Sequence, residues 1–403
     1  MLQITNIRQG AVLNHNHGKE DEKGLTVLFE GISDFPGPVT LNGQPTRRDG
    51  RRFMGEVTLT QQFNTVTAES VSAYGNFSQS IVVVWDKKSF KRVNFYIDDH
   101  SFFWTDLAKE RPKRAFDHFY LKGLKEIHDR TGLKVTLNCF YHNDHFDCDM
   151  SQVPDIWKQE FIDNSDWMKL SFHASGEFPD RLYIEECEEV FARDYDMVHD
   201  EIVRIAGEES FTTPVVIHWA IISPSCVKVL KERGVKCYSN AFRPRLMGGP
   251  SAIERAVGAK SNTVENSQMK TASYNRDHQL AGDFGFGFEE HYNVIEELSY
   301  METHKVMYNP HLDMTFFRGC CCCNLVPLDV IPVRLKRALE DSAASGNEAF
   351  CLASHEQYTF PYYHNYIPDH MERLSKSIEI MVENGCKPVF FSDGLLGNEA
   401  WGK

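Results

Sequence analysis

The run Val93-Asn94-Phe95-Tyr96-Ile97 leads without a break into Asp98-Asp99-His100 and then into Phe102-Phe103-Trp104. A short β-forming apolar run that ends abruptly in charge reads as a buried strand delivering polar side chains at its C-terminal end. Two adjacent carboxylates there repel each other, so keeping both ionised calls for a cation or a proton between them. Taken alone, an Asp before a turn is as readily a helix N-cap. The pattern gains weight because later runs end alike, in Tyr141-His142, His173, His218-Trp219, Asn240, His311 with Asp313, His355-Glu356 and Asp393.

Helical stretches separate these runs. Strand-like segments at 134–141, 167–172, 213–217, 235–239, 305–308, 349–353 and 388–391 alternate with helical spacing over 116–131, 152–164, 185–206, 223–233, 328–344 and 367–384. That alternation predicts an α/β architecture with a parallel sheet. Seven or eight such units in about 310 residues point to a distorted (β/α) barrel, whose functional face lies at the C-terminal strand ends. The stretch 241–290, rich in Gly, Ser, Asn and Arg, reads as long loops or a lid.

Residues 1–88 have another rhythm. Short β-type runs at 25–29, 39–41, 53–59, 64–68 and 81–85 are punctuated by Asn42-Gly43 and Asp49-Gly50. That predicts a small all-β sandwich ahead of the barrel, dividing the chain into 1–88 and 89–403.

A net charge of −14 with no basic stripe argues against a nucleic-acid partner. The best basic cluster, Arg47-Arg48-Asp49-Gly50-Arg51-Arg52, reads as a solvated hairpin. No apolar run approaches the roughly eighteen residues of a membrane span. Met1-Leu2-Gln3-Ile4-Thr5 lacks the pattern of a secretion signal, and the eleven cysteines, four of them consecutive at Cys320–Cys323, lack paired CxxC spacing. Reduced thiols in a cytoplasmic protein are the expectation.

In His173-Ala174-Ser175-Gly176-Glu177, residues four apart would meet on one helical face and could share a metal. The sequences FYIDDH and LSFHASGEF resemble the first two motifs of the polysaccharide deacetylase family, the NodB-homology fold. In that family an Asp-Asp pair supplies a base and a metal ligand, a His-x-x-x-His segment two more ligands, and a Leu-x-His motif a catalytic histidine. The resemblance implies Asp98 as base, Asp99 and His173 as metal ligands, and His355 in FCLASHEQ as acid, with Glu356 beside it. Glu177 stands where the second metal histidine belongs. As a ligand it would harden the site, so that manganese, magnesium or calcium competes with zinc. Alternatively Glu177 is an acid or base and His218 or His142 completes the shell. The N-terminal run similarly resembles the immunoglobulin-like modules of bacterial carbohydrate-active proteins.

The expected activity is metal-dependent removal of an N- or O-acyl group from a glycan. His218, Trp219, Tyr141, Trp104 and Asp393 are candidates for substrate binding at the strand ends. Two other readings are a glycoside hydrolase or lyase using a carboxylate pair, such as Asp98 or Asp99 with Glu177 or Glu356, and an inactive glycan-binding protein.

Overall fold

Period-two patterning shapes the N-terminal region. In β4 (Gly24–Ser33), Leu25, Val27, Phe29 and Gly31 are buried while the alternating Leu28 and Glu30 face solvent. The strands β1 (Leu2–Ile4), β3 (Gly18–Asp21), β4, β7 (Arg47–Asp49) and β8 (Arg52–Leu59) form one sheet. A second sheet joins β2 (Val12–Leu13), β5 (Val39–Leu41), β6 (Gln44–Pro45), β9 (Phe63–Ser72) and β10 (Gly75–Trp85). All their pairings are antiparallel except β2 with β10. Both sheets contribute to one apolar cluster that includes Leu25, Phe29, Phe53, Val66, Val83 and Trp85. Asn42 (φ 47°) and Gly43 (φ 77°) make the tight turn between β5 and β6. The arginine cluster is the β7–β8 hairpin.

This computed structural model describes residues 1–239, 300–393 and 399–401, apart from 74, 180, 181, 184, 185, 221, 224 and 302. Asn240 and the stretch 241–290 expected as loops or a lid lie outside the described residues.

The remainder is organised on a parallel sheet. Its order is β15 (Met168–Ala174), β12 (Val135–Phe140), β11 (Arg92–His100), β20 (Ala349–His355) and β19 (Cys321–Cys322), with β21 (Lys387–Pro388) beside the start of β11. All nine residues of β11 are buried, as expected of a parallel strand covered on both faces. Helices α1 (Phe102–Glu110), α2 (Phe119–Thr131), α3 (Lys158–Asp163), α4 (Glu188–Ala206) and α5 (Cys226–Glu232) follow in order, and two more span Ile331–Ser345 and His370–Glu383. Helix α2 ends where Gly132 takes a left-handed conformation (φ 71°).

Three expectations change. Residues 213–217 form no strand: one bridge, Leu170 to Phe211, and the bond from Thr212 N to Leu170 O (2.9 Å) tie this segment to β15. Pro214 has no N–H for a ladder there. Residues 388–391 leave the sheet after Pro388 and turn into a short 3-10 helix, Phe391–Asp393. His311 and Asp313 sit in a turn between two antiparallel strands, β17 (Val306–Asn309) and β18 (Met314–Phe317), instead of ahead of a helix. With β16 (Cys237–Ser239) these make a separate three-stranded sheet. Among the described residues, strand pairing does not join the two sheets into a closed barrel.

Hydrogen bonds tie the β-rich N-terminal region to β17 and to the end of the helix Ile331–Ser345. Tyr308 N donates to Gly10 O (2.9 Å) and Asn14 Nδ2 to Gly346 O (2.9 Å). Arg92 and Asp86, each 1% exposed, form an ion pair between the end of β10 and the start of β11.

Candidate metal centre

The site begins with an irregularity in β11. A regular strand would send the side chains of Asp98 and Asp99 to opposite faces. Here the register with β12 slips between Ile97 and His100, and Asp99 adopts a left-handed backbone (φ 65°). Aspartate tolerates that region better than most residues, at a cost of about 1–3 kcal/mol. Both carboxylates consequently approach His173 on β15: Asp99 Oδ1 is 3.2 Å from Nε2 and Asp98 Oδ1 is 3.9 Å from Nδ1.

A second imidazole converges on the same oxygen. His218 Nδ1 lies 3.4 Å from Asp99 Oδ1. The backbone at its neighbour Trp219 is also left-handed (φ 62°). One donor atom from each of Asp99, His173 and His218 falls within 4.8 Å of the others, and all three residues are buried. Among the described residues Asp99 Oδ1 has no hydrogen-bond partner. The two imidazoles approach it at distances short enough for ion pairing but without hydrogen-bond geometry.

The outer nitrogens explain the orientation. His173 Nδ1 is 3.1 Å from Val216 O, and His218 Nε2 is 3.2 Å from Glu177 O. A backbone carbonyl only accepts, so each places the proton on the outer nitrogen and leaves the inner one as a lone pair, the arrangement of metal-ligating histidines. Phe140, at the end of β12, packs against both rings at 5.1 and 4.9 Å.

Glu177 therefore enters through its backbone. Its carboxylate lies elsewhere, with Oε2 2.6 Å from His145 Nε2 and accepting from Gln357 Nε2 (3.1 Å). His142, the other alternative ligand, pairs with Asp149 at 2.7 Å and stands outside the group.

Asp98 and His355 flank the centre. Asp98 Oδ1 accepts from Asn138 Nδ2 (2.7 Å). Burial, then the charge of Asp99, push the Asp98 carboxyl well above the usual range. Burial would raise Asp99 too, but His355, His173 and His218 hold it well below. Burial lowers His173 and His355, against the pull of Asp99. Environments that drive two adjacent carboxyls apart suit one to ligation and the other to proton transfer. His355 is half-buried and pairs in register with Asp98 across β11 and β20.

The other expected site residues scatter. Glu356 is fully buried, and its carboxylate accepts the amides of Ser101, Phe102 and Phe103 (2.9, 2.9 and 2.8 Å). It caps the N-terminus of α1, whose first amides have no intrahelical partner. Burial pushes it up to about 8, against those three amides. Trp104 is packed in the core against Phe103 and Phe161. Tyr141 and Trp219 are half-buried near the strand ends, the latter ring 6.0 Å from that of His218. Asp393 is felt by Lys169 at the start of β15, the end of the sheet remote from the centre. Asn138, Phe140, His145 and the carbonyls of Val216 and Glu177 escaped the sequence reading, and only Asn138, a polar residue inside an apolar strand, carried a signal.

No protein-family model matches the chain, and no curated protein matches it either.

Proposed function

We propose that Asp99, His173 and His218 hold a divalent metal and that the protein is a metal-dependent hydrolase removing an acyl group from a glycan. The observation that carries this reading is the convergence of two imidazoles, each backed by a carbonyl, on an otherwise unpartnered buried carboxylate oxygen. One carboxylate with two imidazoles suits zinc, with other borderline ions in reach. The harder metals weighed for a Glu177-containing set lose their reason. The donor types equal those of the deacetylase motif resemblance, with His218 from a separate segment as the third.

A bound divalent ion would polarise an acyl carbonyl and acidify a water beside it. Asp98 receives the proton that such a water releases, and Asn138 fixes its rotamer. His355, its register partner, returns a proton to the departing amine or alcohol. Glu356 sets the position of α1, and its commitment to three amides weighs against a carboxylate-pair glycosidase.

The same reading extends to architecture and place. The contacts of residues 211–217 with β15, and of Ser239 N with Val215 O (2.5 Å), support a distorted barrel in which this segment takes a strand's place. Two apolar clusters, one drawn from residues 4–85 and the other from residues 93–391 together with Val12 and Val84, support domains at 1–88 and 89–403. Eleven free cysteines support a reducing, cytoplasmic setting. Among the described residues no helix is long and apolar enough to cross a membrane.

Acetate release from a panel of N- and O-acetylated oligosaccharides tests the activity. Release that chelation abolishes and metal restores is the expected result. New reducing ends without acetate would overturn it.

A further inference from the structure

The consecutive cysteines Cys320–Cys323 bring one thiol, that of Cys322, to His355. Cys322 Sγ lies 3.8 Å from His355 Nδ1 and donates to Asn324 Oδ1 at 3.1 Å. His355 Nδ1 is itself 3.0 Å from that Asn324 oxygen. Ser354 Oγ approaches the same oxygen at 3.4 Å and lies 2.7 Å from His370 Nε2, while His370 Nδ1 is 2.6 Å from Thr359 Oγ1. Asn324, Ser354, Thr359 and His370 are all buried.

A neutral imidazole carries one proton, and the partner of one nitrogen decides which nitrogen bears it. An amide oxygen only accepts. We infer that Asn324 is the positioning residue that fixes His355 as its Nδ1–H tautomer and makes Nε2 the unprotonated nitrogen. The surroundings orient the amide. Cys322 has a thiol proton to give. A consistent chain then runs from the Thr359 hydroxyl to His370 Nδ1, from His370 Nε2–H to Ser354 Oγ, and from the Ser354 hydroxyl to Asn324. The reversed amide, donating Nδ2–H to His355 Nδ1, would instead force the Nε2–H tautomer on His355.

The tautomer itself does not depend on the proposed hydrolase activity. Its consequence does: under that reading Nε2 first takes up a proton from solvent, giving the imidazolium, and then passes that proton to the departing amine or alcohol.

Long-range proton–nitrogen NMR of full-length, metal-depleted protein labelled with ¹⁵N-histidine reads the tautomer directly, with His355 assigned by its loss in His355→Gln. Wild type is expected to show a protonated Nδ1 and an unprotonated Nε2. Asn324→Asp should keep that pattern, and Asn324→Leu should lose it. An Nε2–H tautomer in wild type, or an Nδ1–H signal unchanged in Asn324→Leu, would overturn the inference. If the leucine variant does not fold, wild type and Asn324→Asp still decide it. Because no metal is bound during the measurement, failure here is separate from failure of the metal centre.

Discussion

Asp98 and His355 are register partners on adjacent parallel strands, one from β11 and one from β20. They stand on the two strands whose ends carry the proposed base and acid. The sheet, not a loop, sets their separation, so the two groups act from a rigid frame.

That pairing fixes the first expectation. Asp98→Asn and His355→Gln should each lower acyl hydrolysis roughly 10²–10⁴-fold, the usual range for a lost general base or acid. Metal content should be retained in both. Turnover by metal-loaded variants, measured as acetate release, checks this.

Glu177 separates the two views of the metal shell. Its carbonyl, not its carboxylate, supports His218. Glu177→Ala should therefore keep near-wild-type metal content, whereas His218→Ala should lose it. Equilibrium dialysis of the two variants against Zn²⁺ distinguishes them.

The Arg92–Asp86 pair is almost fully desolvated. Removing one partner leaves a buried charge uncompensated, so Asp86→Ala should cost about 3–5 kcal/mol in denaturant unfolding. Replacing both by apolar residues of similar volume should cost less than the single change.

Gly10 joins the two regions at close quarters. Its φ is +79°, and an added Cβ would fall 1.9 Å from Tyr308 O. Gly10→Ala should destabilise the fold by about 1 kcal/mol or more, read as a lower unfolding midpoint.

Acid sensitivity follows from His370. Burial, with the charge of Arg373 next, lowers it from 6.5 to about 3. Between those values the unfolded chain binds the proton and the folded one does not. Stability is therefore complete above pH 6.5 and declines as pH falls, by about 1.4 kcal/mol per unit for one such group. His370→Gln should flatten the acid limb of stability against pH by that slope.

Much of this was legible in the chain. Strand β11 and its terminal carboxylates, β15 with His173, and β20 with His355 follow from apolar runs that end in titratable residues. Glu177 shares a face with His173 only if a helix follows His173. Gly176 and Pro179 argue against one, and the structure has irregular backbone there. His218 could be singled out as a strand-end histidine, but nothing local says that its ring meets one from β15. Glu356 and Trp104 look functional by position, yet a helix needing a cap and a core needing volume claimed them. Asp393 failed for a simpler reason: Pro388 ends its strand after two residues, leaving it near the start of β15.

Metal content tests the central claim most directly. Plasma mass spectrometry of purified wild type, Asp99→Ala, His173→Ala and His218→Ala would be compared after reloading with a divalent metal. A near-stoichiometric ion in wild type that is lost in all three variants is the expected result. Wild-type protein that takes up no metal, or variants that retain it, would contradict the account.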